Sequence, residues 1–253
     1  MKPFILAETN WKTIRDQEIE LAVLPWGATE AHNLHLPFST DNIMVDKIAS
    51  AAAQAAWDRG AKLIVLPAIP FGVNTGQMDI RLNINMNPST QFAILNDITD
   101  VLSRHGIYKF LILNGHGGND FRQMIRELGL KYPDIFICTC NWYKSFDNSA
   151  FFENSGGHAD EMETSVMQYI APELILPLDE AGRGEGKKFR LKAFNEEWAW
   201  AERKWTQVTS DTGIGNPLKA TPEKGEKCFN VVVEKIGSLM LDLAKADIND
   251  MYE

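Results

Sequence analysis

The sequence lacks several features that would point to secretion or to a membrane. Its 253 residues contain three cysteines, and so odd and sparse a count argues against a disulfide scaffold and fits a reducing compartment. No apolar run approaches the ~18 residues that a membrane span needs. The apolar stretch near the N-terminus is too short for the core of a signal peptide. We therefore expect a cytoplasmic protein with no membrane partner.

Clusters of basic residues and the usual nucleophile motifs are also missing. The chain has 25 basic and 34 acidic residues and a formal net charge of −9, which disfavours nucleic acid as a partner. It has no Gly-x-Ser-x-Gly elbow. Cys138 and Cys140 lie in an apolar strand-like run, where buried thiols are usually inert. The glycine-rich loop at 114–119 has neither the ending of a P-loop nor dinucleotide spacing.

Short apolar runs alternate with amphipathic stretches along the chain. The runs predict strands at Leu21–Trp26, 62–69, 109–113 and 135–140. The stretches predict helices at 43–59, from a cap at Ser89 to 105, and at 121–130, 160–170 and 223–246. Continuous apolar strands separated by helices are typical of a parallel sheet covered on both faces. We predict one α/β domain over 1–253, with a Gly- and Trp-rich insertion at about 178–217.

Four of the five histidines lie in three short motifs that are rich in acidic residues or glycine. The motifs are Glu30-Ala-His32 with His35 and Asp41 following, Asn114-Gly-His116-Gly-Gly-Asn119, and His158-Ala-Asp-Glu161-Met-Glu163. Imidazole together with carboxylate is a ligand set for divalent metals. Because each motif follows a predicted strand, we expect all three to meet at the carboxyl edge of the sheet. The polar segment 71–88 is expected to lie over this site.

The spacing within the motifs leaves some roles open. Asp41, near a helix start, either bridges two cations or caps the helix, and its position favours neither. His116 taken alone is more often a buried core histidine, and it is the neighbouring motifs that favour a ligand. The tryptophans at 198, 200 and 205 are more often part of an interface or a core than of a ligand cage.

The third motif is interpreted on helical spacing. An i,i+3 separation places His158 and Glu161 on one helical face. Glu163 then points away from Glu161 and is interpreted as a hydrogen-bond partner of a ligand. Asp160 is interpreted as a solvated acid in the first turn, favoured by the helix dipole.

Together these motifs resemble the creatininase (creatinine amidohydrolase) family. The matching stretches are Pro25-Trp-Gly-Ala-Thr-Glu30-Ala-His32, His35-Leu-Pro37 to Thr40-Asp41, Leu113-Asn-Gly-His-Gly-Gly-Asn119, and His158-Ala-Asp-Glu-Met-Glu-Thr-Ser165. The resemblance runs from about residue 1 to 172 and returns loosely at 221–225. It implies a three-layer α/β/α sandwich with a mostly parallel sheet, usually in a homohexamer. It also implies a two-metal site, zinc or manganese, that hydrolyses a C–N amide bond.

The resemblance also implies roles for single residues. Glu30, Asp41 and His116 would hold one metal, and His32 with a bridging Asp41 would hold the other. Creatininase takes its last ligand of the second metal from a Glu two residues after the glycine-loop histidine, and here Gly118 stands there. We expect Glu161 to replace that ligand. His158 matches the catalytic histidine of the family. Glu163, whose role the resemblance does not supply, is counted with it among the catalytic residues as a carboxylate that orients a ligand.

Two departures concern the substrate. The Trp-Asp pair that creatininase places before the catalytic histidine is replaced by Asn154 and Ser155, and its Phe-Pro-Gly-Thr segment is replaced by residues 81–88. Creatinine is therefore disfavoured as the substrate. Asn119 and Asn83 are candidate substrate contacts.

Our hypothesis is a metal-dependent amidohydrolase that cleaves a small, non-peptide amide with metal-activated water, while His158 carries the proton. The alternative is a non-catalytic relative that keeps the metal site and binds a small molecule or a partner through the Trp-rich segment. A sugar- or nucleotide-binding module is a third hypothesis, but the sequence has no matching loop.

Overall fold

A computed structural model describes residues 2–154 and 156–253, so Ser155 lies outside the described residues. Four strands form one parallel sheet in the order β2-β1-β3-β4. They are β1 Leu21–Trp26, β2 Leu63–Val65, β3 Lys109–Asn114 and β4 Phe136–Asn141. The α-helices are α1 Trp11–Ile14, α2 Thr40–Trp57, α3 Pro88–Arg104, α4 Arg122–Lys131, α5 Glu161–Ile170, α6 Lys192–Asn195, α7 Trp205–Val208 and α8 Pro222–Lys245.

The sheet is covered by helices on both faces because its strands are apolar on both. Leu21 and Val23 of β1 pack into a core shared with α2, α5 and α8. Ala22 and Leu24, which point the other way, pack into a second core with α3 and α4. Successive side chains of a strand face opposite sides, so one continuous apolar run serves two cores. The predicted three-layer α/β/α sandwich is confirmed.

Most predicted elements agree with the structure to within a few residues. The largest difference is the second strand, which was expected over 62–69 and is observed only at Leu63–Val65. Pro67 and Pro70 follow directly, and proline has no N–H to donate to a strand ladder. Ile69 keeps a single bridge to Trp26.

Asp160 was interpreted as a solvated acid, and this was wrong. The side chain is fully buried and caps α5, accepting hydrogen bonds from the backbone N–H groups of Met162 and Glu163. Its other oxygen accepts from the backbone of Gly156 and Gly157. One carboxylate thus fixes both the start of α5 and the loop before it.

The segment 178–217 contains only short helical turns, in keeping with the predicted insertion. It passes close to the carboxyl edge of the sheet, where His158 pairs with Ile214. No helix in the described part of the chain has the length and hydropathy that crossing a bilayer requires. The interpretation of 1–253 as a single domain stays a prediction.

Two glycines in helices provide a matched test of packing. A Cβ on Gly225 of α8 would collide with the backbone of Ser165 in α5, whereas a Cβ on Gly129 of α4 would meet open space. We expect Gly225→Ala to lower the free energy of unfolding by about 1–3 kcal/mol through overpacking. We expect Gly129→Ala to raise it by about 0.5–1 kcal/mol. Urea denaturation of both variants checks this, and equal effects would contradict the tight α5–α8 contact.

Candidate metal centre

The topology of the sheet opens a crevice at one edge. Strand β1 lies between β2 and β3, and the chain passes from β1 to β2 on one side and from β3 to β4 on the other. The connections that leave β1 and β3 therefore diverge. Such a switch point is where open α/β sheets bind ligands. Glu30 and His32 follow β1, and His116 follows β3. Asp41 enters the same place from the first turn of α2.

Five buried side chains converge in this crevice. Nδ1 of His116 lies 2.9 Å from Oε1 of Glu30 and 3.0 Å from Oδ2 of Asp41. Nε2 of His32 lies 3.1 Å from Oδ1 of Asp41 and 3.9 Å from Oε2 of Glu163. Asp41 therefore presents one oxygen to each histidine. Its Oδ2 is buried and accepts no hydrogen bond among the described residues.

When their rings are neutral, the two histidines direct a lone pair, and not a hydrogen, toward these carboxylates. Nε2 of His116 lies 3.0 Å from the carbonyl oxygen of Val73, and Nδ1 of His32 lies 3.1 Å from that of Glu30. A carbonyl oxygen can only accept, so in the neutral ring that nitrogen carries the proton. The ring nitrogen that faces Asp41 then carries no hydrogen, so this nitrogen and the carboxylate oxygen can both only accept a hydrogen bond. A cation between them satisfies both, and such carbonyl anchoring is usual for metal-bound histidine.

The electrostatics of the crevice also favour a cation. Burial alone would lower the pKa of His32, but Asp41, Glu163 and Glu30 around it raise it to about 10. Burial likewise opposes protonation of His116, yet Glu30 and Asp41 raise its pKa well above the usual value. The carboxylates thus draw positive charge onto the imidazoles. A divalent metal would supply that charge instead, with deprotonated ligands.

Three overlapping groups of side chains could hold a metal ion. The groups are Glu30, Asp41 and His116; His32, Asp41 and Glu163; and Glu30, His32 and His158. Of the predicted metal ligands, the structure brings together Glu30, His32, Asp41 and His116. Asp41 is not the cap of α2, since Ser39 occupies that position.

Glu161 was expected among these ligands, and the structure does not place it there. Its carboxylate forms an ion pair with Lys224 of α8 and accepts hydrogen bonds from the backbone of Glu153 and Asn154. The i,i+3 argument fails because α5 starts only at Glu161. Ala159 has a φ of 50°, so the chain turns sharply between His158 and the helix.

Glu163 occupies the place expected for Glu161. Its Oε2 accepts a hydrogen bond of 2.5 Å from the backbone N–H of Ala159. Burial raises the pKa of Glu163 to about 8. Nearby Asp41 and Asp160 also raise this pKa, whereas His32 lowers it. This carboxyl is therefore costly to ionise unless a cation lies beside it.

Gly118 shows why the glycine loop offers no ligand at position 118. A Cβ at this position would collide with the carbonyl oxygen of Val73 and with Nε2 of His116. These are the two atoms whose contact orients His116. The absence of a side chain at position 118 therefore leaves room for the contact that anchors His116.

His158 lies at the rim of the cluster. Its Nε2 lies 2.9 Å from the carbonyl oxygen of Ala31, so Nδ1 is the free nitrogen, 3.7 Å from Oε1 of Glu30. Its ring stacks at 4.3 Å from His32, and the ring of Trp205 packs against it at 5.3 Å and 87°. Burial lowers the pKa of His158, which keeps the ring neutral and able to accept a proton at Nδ1.

The two asparagines proposed as substrate contacts form hydrogen bonds within the protein. Asn83 accepts a hydrogen bond from the N–H of Ala31 and donates to Gln77. Asn119 lines the cavity, but its Oδ1 accepts from the N–H of Val73 and from Gln91. Both residues support the loops around the site, and the structure does not favour them as substrate contacts.

Sequence reasoning missed Gln77 and the backbone anchors. The side chain of Gln77 donates a short hydrogen bond to Glu30. Gln77 and Val73 belong to the polar segment 71–88, which was expected to lie over the site and does line it. His35, the fourth motif histidine, stays outside the cluster and hydrogen-bonds Thr164 at 2.9 Å.

The cluster forms the floor of a cavity of about 600 Å³, within the usual range for small-molecule sites. Its walls come from residues 73–77, 115–122 and 139–148 and from residues 200–205 of the Trp-rich segment. A metal site at the bottom of an open cavity has room for a substrate, in contrast to a closed structural site.

The family model for creatininase, described as creatinine amidohydrolase, matches residues 7–240. The chain belongs to the creatininase family. The mycofactocin precursor peptide peptidase of Mycobacterium ulcerans is 24% identical over 221 residues, 84% of this chain and 81% of the relative. The 3-dehydro-scyllo-inosose hydrolase of Thermotoga maritima is 26% identical over 185 residues, 65% of this chain but only 55% of the relative.

Solved structures agree with this assignment. A Bacteroides fragilis NCTC 9343 protein described as a presumed creatinine amidohydrolase superposes with a TM-score of 0.92 at 43% identity, with 100% of both chains covered. A manganese form of creatininase and a creatininase variant bound to creatine each give a TM-score of 0.81 at 20% identity, over 97% of this chain and 100% of theirs. A zinc form is also known. Creatininases thus carry zinc or manganese, and this chain clusters side chains that could hold such ions.

The glycine loop supplies a prediction with an internal control. Gly118→Ala should lower the affinity for zinc by about 10–100-fold, because the added Cβ disturbs the Val73 anchor of His116. Gly117→Ala should leave it unchanged, since a Cβ there meets open space. Competition with a chromogenic zinc chelator measures both affinities. Equal affinities in the two variants would show that the anchor does not matter.

Proposed function

We propose that this protein hydrolyses the C–N bond of an amide with the help of two divalent cations, zinc or manganese. The observation that carries the proposal is the position of Asp41, which presents one buried oxygen to each of two histidines. Both histidines are anchored so that, when the ring is neutral, the nitrogen facing that oxygen is the unprotonated one. Asp41 could therefore serve one cation beside each histidine.

The proposed ligand sets follow the observed groups. Glu30, Asp41 and His116 would hold one cation, and His32, Asp41 and Glu163 would hold the other. When bound, such cations polarise an amide carbonyl and lower the pKa of a water molecule. Glu163 therefore takes the role first assigned to Glu161.

His158 is proposed to move the proton. With Nε2–H held by the carbonyl of Ala31, its Nδ1 points into the cavity and can accept a proton from the attacking water. The same nitrogen can then donate that proton to the leaving amine nitrogen as the C–N bond breaks. Trp205 packs edge-on against the ring and restricts its rotation.

The substrate class is an amide small enough for the cavity, and creatinine is disfavoured. One relative is named a peptidase and another a hydrolase of an inosose, so the family covers different substrates. We keep a small non-peptide amide as the working substrate and include short peptides among the compounds to screen. Homo-oligomer formation and a cytoplasmic location stay predictions, which contacts within one chain do not address.

Metal content tests the ligand sets. We expect wild type and Glu161→Gln to bind about two zinc ions per chain and Glu163→Gln about one, because only Glu163 faces His32 and Asp41. Plasma mass spectrometry of zinc-loaded, desalted protein gives the stoichiometry. Loss of an ion in Glu161→Gln, or full occupancy in Glu163→Gln, would contradict the assignment. One ion in wild type would reject the two-metal proposal.

The role of His158 has a separate readout. His158→Ala should keep both metals and lower kcat by about 10²–10⁴-fold, the range for general acid–base catalysis. His105→Ala, which changes an exposed histidine at the end of α3, should leave kcat unchanged. Steady-state rates on the amide found by screening measure both variants. If His158→Ala loses metal, this residue is a ligand of the third observed group and not a proton carrier.

A further inference from the structure

A segment rich in tryptophan forms one wall of the cavity. This tryptophan segment, residues 198–208, is tied to the polar segment 71–88 by several contacts. Glu202 accepts a hydrogen bond of 2.9 Å from Thr75, and Asp79 pairs with Lys204 at 3.1 Å. Gly76 makes room for the backbone of Arg203, since a Cβ there would collide with the Arg203 carbonyl. The wall is therefore held in place by the fold.

Arg203 is oriented by Trp205. Its guanidinium carbon lies 4.7 Å from the centre of the Trp205 ring, a cation–π contact. Trp205 is buried, and its Nε1 donates to the carbonyl of Thr212 at 3.0 Å. The ring of His158 also packs against this indole, with the two ring centres 5.3 Å apart. One tryptophan thus connects the proposed proton carrier to an arginine on the cavity wall.

Arg203 is not held in an ion pair, although the charge of neighbouring Glu202 acts on it through space. No carboxylate in residues 2–154 and 156–253 forms an ion pair with it, and neighbouring Glu202 is engaged by Thr75. Lys144 lines the same cavity and is also without an ion pair among the described residues, whereas Arg122 is paired with Asp120. In a chain with a net charge of −9, the cavity wall thus carries two positive side chains that form no ion pair among the described residues.

We propose that Arg203, held on the ring of Trp205, binds an anionic group of the substrate while the amide bond lies beside His158. The inference rests on the proposed hydrolysis and adds a substrate class, namely amides that carry a carboxylate or a phosphate. The planar guanidinium matches both oxyanions with two parallel hydrogen bonds. Lys144 adds a second positive charge in the same cavity without that fixed geometry.

Three small amides that are matched in shape and differ in charge serve as probes of this proposal. N-acetyl-β-alanine carries a carboxylate, its N-methylamide is neutral, and N-acetylethanolamine phosphate carries a phosphate. Binding is measured by calorimetry on zinc-loaded, full-length protein that carries His158→Ala, so that turnover does not disturb the heats. We expect at least one anionic probe to bind about tenfold or more tightly than the neutral amide. The tighter of the two anions identifies the preferred oxyanion.

Arg203→Gln should abolish this preference, while Arg203→Lys should retain part of it. Arg190→Gln is the control, because Arg190 is exposed in the same insertion and does not line the cavity. A preference that survives Arg203→Gln, as direct anion binding to zinc would give, overturns the inference. So does equal binding of charged and neutral probes. If the wild-type protein hydrolyses no amide but the Arg203-dependent preference for anions is present, the proposed function alone is rejected.

Discussion

Three carboxylates buried within a few ångströms of each other are the constraint on which the rest of this site depends. Glu30, Asp41 and Glu163 are almost without solvent contact, and burying such groups is costly unless positive charge lies beside them. Their field raises the pKa of His32, and burial, together with Asp41 and Asp160, raises the pKa of Glu163. A divalent cation beside these carboxylates would relieve this conflict, which is why the geometry favours a metal site over a hydrogen-bonded cluster.

The backbone decides which nitrogen of each histidine serves the site. Carbonyl groups of Glu30, Ala31 and Val73 each hold one ring nitrogen of a histidine and leave the other facing the carboxylates. These carbonyls come from the loop after β1 and from the segment 71–88. The second segment must approach the glycine loop closely, and Gly118 permits that approach because it has no side chain. The composition of the loop and the orientation of its histidine therefore have a common cause.

The tryptophan segment completes a cavity that the sheet alone would leave open. Its Trp205 packs against His158 from a part of the chain more than forty residues further on. Exposed Trp198 and Trp200 differ in this respect from buried Trp205. Three neighbouring tryptophans in the sequence thus have different environments in the fold.

The sequence by itself determined the fold class, the order of strands and helices, and the convergence of Glu30, His32, Asp41 and His116. Each of these follows from apolar periodicity and from the rule that parallel strands end at one edge. Only the tertiary structure shows that Glu163 rather than Glu161 faces His32, that Ser39 rather than Asp41 is the N-cap of α2, and that Asn83 and Asn119 hydrogen-bond the loops around the site. These choices depend on backbone turns such as the positive φ of Ala159 and on partners distant in sequence such as Lys224. Neither leaves a periodic signal along the chain.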